Sequence, residues 1–124
     1  MQLTQELPDY RYALRSADGF RARVNDQVLT SSFIISPDEL LENWTAIHAQ
    51  TLTAADMAPL LALRPEVILL GTGSRQIFPP AAVMAACLTA GIGIEVMDNP
   101  AAARTFNILA SEGRRVAAGF LISA

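Results

Sequence analysis

The chain has 124 residues, 52% hydrophobic and 17% charged, with a net charge of −3. That is material for one domain, 1–124, with a sizeable core, and it excludes a disordered chain. All nine cationic side chains are Arg, so the amine needed for P-loop, kinase-type and Schiff-base chemistry is absent.

No basic stripe is present, so nucleic acid is not an expected partner. One Cys and one His leave no internal disulfide and no ordinary zinc site. No metal or cofactor is expected. No apolar run approaches the ~20 residues that span a bilayer. Residues 1–11 hold no apolar core of signal-peptide length. The expected protein is cytoplasmic and not membrane-spanning.

Residues 1–8 read as a frayed lead-in. Residues 10–15 alternate as a first strand. Asp18-Gly19 signals a turn, and Phe20-Arg21-Ala22-Arg23-Val24 alternates apolar with Arg as a second strand. Asn25-Asp26 turns again, and residues 27–35 read as a third strand. The first third is therefore an antiparallel β meander. Ser36-Pro37-Asp38-Glu39 reads as a helix start with a capping box, the helix ending near Asn43. Residues 44–49 read as another strand. A second helix is expected from Thr53 to about Leu63, with Pro59 forcing a kink or a late start.

The second half changes rhythm. Residues 66–70 are continuously apolar, the pattern of a parallel strand covered on both faces. Residues 80–90 predict a helix apolar nearly all round, closed by Gly91. Gly93-Ile94-Glu95-Val96-Met97 predicts a second central strand. Asp98-Asn99-Pro100 opens a third helix that Gly113 ends, and residues 114–122 predict the last strand. Strand, helix, strand, helix, strand implies right-handed crossovers. The expected class is α/β: one domain in three layers, with a central mixed, largely parallel sheet and flanking helices.

The chemistry concentrates at residues 71–79. Gly71-Thr72-Gly73 lacks the third glycine of a dinucleotide fingerprint, and Gln76 stands in its place. The two prolines delay the helix to about Pro80. What remains is an anion-binding loop: amides near a helix start, close backbone approach at glycine, and a bidentate fork offered by Arg75. Gly71, Thr72, Gly73, Ser74, Arg75, Phe78 and Asp98 are the candidate ligand-binding residues. The alternative is a tight loop with Arg75 paired to an acid such as Asp98.

Glu95, inside a central strand, predicts a buried carboxylate in need of a partner. Asn107 is a second candidate buried polar group, near a helix end with Glu112, Arg114 and Arg115. His48 has no nominated nucleophile, and Ser74 does not sit in a Gly-x-Ser-x-Gly elbow. No catalytic residue is nominated. Cys87 reads as a small buried residue.

Four stretches carry a resemblance: Leu69-Leu70-Gly71-Thr72-Gly73, Gly93-Ile94-Glu95-Val96-Met97, Thr105-Phe106-Asn107-Ile108-Leu109, and Glu112-Gly113-Arg114-Arg115-Val116-Ala117-Ala118. Together they resemble a small single-domain family of formerly unknown function. Its fold is named from a methanogen protein, and it includes the mitochondrial complex I assembly factor 3. The resemblance implies a three-layer fold, no established enzymatic activity, and action by binding protein partners. The leading expectation is a non-enzymatic protein-binding or assembly-type factor. The rival is a small-molecule or anion-binding protein, including an enzyme, that uses Arg75 and the loop amides.

Overall fold

The computed structural model describes residues 10–123, so the expected lead-in at residues 1–8 lies outside it. The meander forms as a small antiparallel sheet of β1 (Leu14–Ala17), β2 (Ala22–Val24) and β3 (Gln27–Leu29). Its first turn closes because the Asp18 carboxylate accepts from the N–H groups of Phe20 at 2.7 Å and Arg21 at 2.9 Å. Alternation puts Ala22, Val24 and Leu29 inward and Arg21 and Arg23 into water.

The large sheet holds β4 (Phe33–Ile35), β5 (Leu40–Leu41), β6 (Val67–Gly71), β7 (Gly93–Met97) and β8 (Val116–Phe120), in the order β5-β4-β8-β6-β7. β6 runs parallel to both β7 and β8, while β4 is antiparallel to β5 and β8. The helices are α1 (Ala58–Ala62), α2 (Ala81–Thr89) and α3 (Asn99–Ser111). Gly91 and Gly113 close α2 and α3 at positive φ.

Strand alternation builds one core on each face of this sheet. Val67, Leu69, Phe33, Ile35, Ala118 and Phe120 meet α3 and the small sheet. Ile68, Leu70, Ile34 and Ala117 meet α1, α2 and Trp44 on the other face. Each fully buried aliphatic side chain contributes roughly 1.5–3 kcal/mol of transfer free energy. Phe33 and Phe120 face each other in register and stack with ring centroids 5.0 Å apart. The fold is thus the expected three-layer α/β architecture with a mixed central sheet.

Four local expectations are corrected. The Ser36 turn starts no helix. Its hydroxyl accepts from Glu39 N–H at 3.0 Å, and its N–H donates to Glu39 carbonyl at 2.8 Å, folding β4 back onto β5. The same Ser-to-i+3 bond caps a helix or closes a turn, and Asn43 at φ 67° leaves the right-handed helical region. Residues 27–35 are not one strand, because the chain leaves the small sheet after Leu29 and enters the large one at Phe33. Residues 44–49 form no strand; Trp44, Ala46 and Ala49 reach the core from an irregular segment. The second helix, by contrast, starts late as expected, with Pro59 in its first turn after a 3-10 turn at Ala55–Met57.

The fourth correction concerns Glu95. β7 is an edge strand, not a central one, because β8 inserts on the other side of β6. Glu95 is therefore exposed and is not a buried carboxylate. Asn107 is half-buried and joins α3 to β1. It accepts from Leu14 N–H at 3.0 Å and donates to Leu14 carbonyl at 2.6 Å.

Candidate functional site

The chain crosses from β6 through α2 to β7, then returns through α3 to β8 on the far side of β6. α2 and α3 lie on opposite faces. The carboxyl ends of β6 and β8 therefore flank a topological switch point, where open α/β sheets place ligands. The loop at residues 71–79 leaves from that point.

Here the crevice is occupied by the chain itself. Asn99, in the first turn of α3, has 0% exposure. Its Nδ2 donates to Asp18 carbonyl at 2.8 Å and to Leu121 carbonyl at 3.0 Å. Its Oδ1 accepts from Gly73 N–H at 3.0 Å, and its own N–H donates to Gly73 carbonyl at 2.8 Å. One amide thus ties the first turn, the loop and the end of β8. Gly71 makes room for it, since a Cβ there would lie 2.4 Å from Asn99 Oδ1.

Thr72 fixes the rest of the loop. Its hydroxyl donates to Arg75 carbonyl at 2.5 Å and accepts from Ile77 N–H at 3.0 Å. Its N–H donates to Met97 carbonyl at 2.9 Å. Asp98 accepts from Ala101 N–H at 2.8 Å as the cap of α3. The ion pairs among the described residues join Arg23 with Asp26 and Arg114 with Glu66; neither includes Arg75 or Asp98.

A hollow of about 150 Å³ remains outside the sealed crevice. Thr72, Gly73, Ser74 and Arg75 line it together with Gly19, Phe20, His48, Gln50 and Ser123. Gly71, Phe78 and Asp98 do not line it, and neither does the start of α2. Arg75 is exposed at its rim. Asn99 lies beside the loop because both crossover loops leave the same edge of the sheet, as expected. Gly19 and His48 were missed as its neighbours, because they come from two other segments.

Asp18 belongs to this region through its carbonyl. The N–H groups of Phe20 and then Arg21, followed by the Arg21 charge, hold its carboxyl below the usual carboxylate range. A depressed folded pKa gives stability that is complete above the unfolded value and is lost as pH falls through the folded one. Asp18→Asn, which keeps an acceptor but removes the charge, is therefore expected to lower the melting temperature slightly near neutrality. In acid its fall should be shallower than that of the wild type, as read by thermal unfolding across the carboxylate range. The carboxyl of Glu66 is likewise held down, mainly by the Arg115 N–H, and acts in the same sense in acid.

A different surface lies on the opposite end of the loop. No charged side chain occurs between Arg75 and Glu95. α2 points Val83 and Cys87 into the core. Its outward positions, Ala81, Ala82, Ala85 and Leu88, are exposed, and Phe78 precedes them in the open. Leu88 is 65% and Phe78 64% exposed. Burial also pushes the Cys87 thiol up, which leaves it unreactive at neutral pH.

No cluster of three or more metal-ligating acids, His or Cys lies among the described residues. No helix there is long and apolar enough to cross a membrane.

The sequence profile of a protein family of unknown function (DUF498/DUF598) matches residues 15–121. A "13 kDa major membrane protein" of Francisella tularensis is 33% identical over 67% of this chain and 68% of its own length. NADH dehydrogenase (ubiquinone) 1 alpha subcomplex assembly factor 3 of Danio rerio is 32% identical over 90% of this chain, but over only 62% of its own length. The solved structure of Xanthomonas campestris XCC1710 is 60% identical, with a TM-score of 0.83 over 98% of this chain and 92% of that one. A solved Mth938-like domain of Bordetella pertussis is 29% identical, with a TM-score of 0.80 over 98% and 92%.

Proposed function

The chain belongs to the DUF498/DUF598 family, and on that premise we propose that it acts by binding another protein, as an assembly-type factor. The observation that carries this reading is the uncharged exposed face formed by Phe78 and the outward side of α2. Charge-depleted surface with large exposed apolar residues is what protein interfaces bury. The assembly-factor name of the Danio rerio relative supports the same reading, and the switch-point crevice, where an enzyme of this topology would hold substrate, is filled by Asn99. Cytoplasmic residence is part of the proposal, and fractionation of native cells tests it against the membrane-protein name of the Francisella relative.

Capture from the native organism with the tagged full chain is the test. Wild type is expected to enrich a partner. Leu88→Arg, an exposed substitution that leaves folding within about 0.5 kcal/mol, is expected to lower recovery about tenfold. Equal recovery by both forms, or recovery of nothing above background, contradicts the reading.

A second reading rests on the hollow beside Arg75, an exposed guanidinium outside the ion pairs of the described residues. A small carboxylate or phosphate is its expected ligand. Binding should raise the melting temperature, and Arg75→Ala should abolish that rise. An unchanged melting temperature across phosphates and carboxylates excludes this reading.

A further inference from the structure

Building on the protein-binding reading, we propose that the open edge of β7 receives an extended segment of the partner as a further strand, with a lysine or arginine of that segment opposite Glu95. β7 ends its side of the large sheet. Thr72 N–H reaches Met97 carbonyl on the β6 side. Backbone groups alternate sides along a parallel strand, so those of Ile94 and Val96 face away from β6. Gln76 marks the same direction, because its Nε2 donates to Val96 carbonyl at 2.9 Å. The Ile94 N–H and carbonyl and the Val96 N–H meet no partner on that side among the described residues. Such a row is a template for an added strand.

Glu95 selects the occupant. It is exposed and shares its strand face with Met97, on the α3 side. The fullest twofold pairing of β7 with a second copy centres on residue 95. It would set two Glu95 side chains directly opposite each other, their Cβ atoms roughly 5 Å apart, and like charges so placed disfavour self-pairing. A strand bearing a cation at that position gains a cross-strand pair instead. Its flanking residues would fall beside Ile94 and Val96, whose side chains belong to the α2-side core. Apolar flanks around one basic residue are therefore the partner chemistry that this edge fits. α2 itself packs against β7.

The test titrates the isotope-labelled full chain with two short capped peptides of alternating Thr and Val. One carries a central Lys and the other a central Glu. The Lys peptide is expected to shift the Ile94 and Val96 amides, slow their hydrogen exchange, and bind about fivefold tighter than the Glu peptide. Glu95→Lys should reverse that order, and Gln76→Ala, which frees Val96 carbonyl, should strengthen both. The proposal is overturned by any of four results: no shift at millimolar peptide, equal affinities, shifts centred on β5 or on the Arg75 hollow, or β7 protection that grows with chain concentration alone. Capture of a partner with no sensitivity to Glu95→Lys would overturn it while sparing the protein-binding reading. Peptide discrimination without a captured partner would support it while counting against that reading.

Discussion

Asn99→Ala is expected to destabilise the protein by about 2–4 kcal/mol, the largest effect of any single polar truncation in the crevice. The substitution removes three side-chain hydrogen bonds at once. It leaves the carbonyls of Asp18 and Leu121 and the N–H of Gly73 without their partner, the Leu121 bond buried and the other two part-buried. Each orphaned group costs on the order of 1–3 kcal/mol, less whatever water entering the gap restores. For a domain of this size the melting temperature should fall by roughly 10 °C. Asn99→Asp should be no better, because a carboxylate oxygen would replace the amide that faces two carbonyls. Urea unfolding measures both. A loss under about 1 kcal/mol would mean that the amide does not seal the crevice, and the argument against a substrate pocket there would fall with it.

Gly119→Val comes next. Gly119 lies in β8 beneath the Trp44 indole, and a Cβ there would sit 2.7 Å from Cζ3 and 2.8 Å from Cη2 of that ring. The Leu60 side chain closes the third direction, with its Cδ1 at 3.3 Å. The indole has little room to yield, because its Nε1 donates to Asp56 carbonyl at 3.0 Å and Trp44 N–H donates to Ser32 carbonyl at 3.1 Å. Overpacking of this kind costs typically about 1–3 kcal/mol, and the two branches of Val place it at the upper end. The chain has one Trp, so its fluorescence reports the same event. The emission of the variant should shift to the red while the protein is still folded, as the ring is pushed towards water. An unchanged spectrum and stability would mean that Trp44 does not cover β8.

Both residues show where sequence reading succeeds and where it stops. Strands with strong periodic or continuous apolar content, such as β6 and β8, were legible, because burial on both faces leaves a run of Val, Leu, Ala and Phe. So were the helix ends at Gly91 and Gly113 and the start of α3 at Asp98, where a single side chain or glycine does the work. The Ser36 turn was misread because its Ser-to-Glu39 bond is common to a helix cap and a hairpin. Strand order was not legible at all. A strand flanked by helices reads the same at the centre or the edge, and Glu95 was the one residue that distinguished them. A lone carboxylate in mid-strand signals an open edge at least as readily as a buried ion. The loop at residues 71–79 was found from its glycines and prolines, but not what fills the space beside it. Asp18 and Leu121 converge on Asn99 there from segments far apart in sequence, and no spacing rule brings those two to it.

The reading of residues 71–97 follows from these placements. The loop that resembles a ligand site is fastened by the chain's own side chains, while the uncharged helix after it is left open. The most direct test is photo-crosslinking in native cells, with a photoreactive residue placed in turn at position 88 on α2 and at position 50 beside the Arg75 hollow. A protein adduct from position 88 and none from position 50 is the predicted result. Adducts from position 50 alone, or from neither position, would contradict a partner surface on α2.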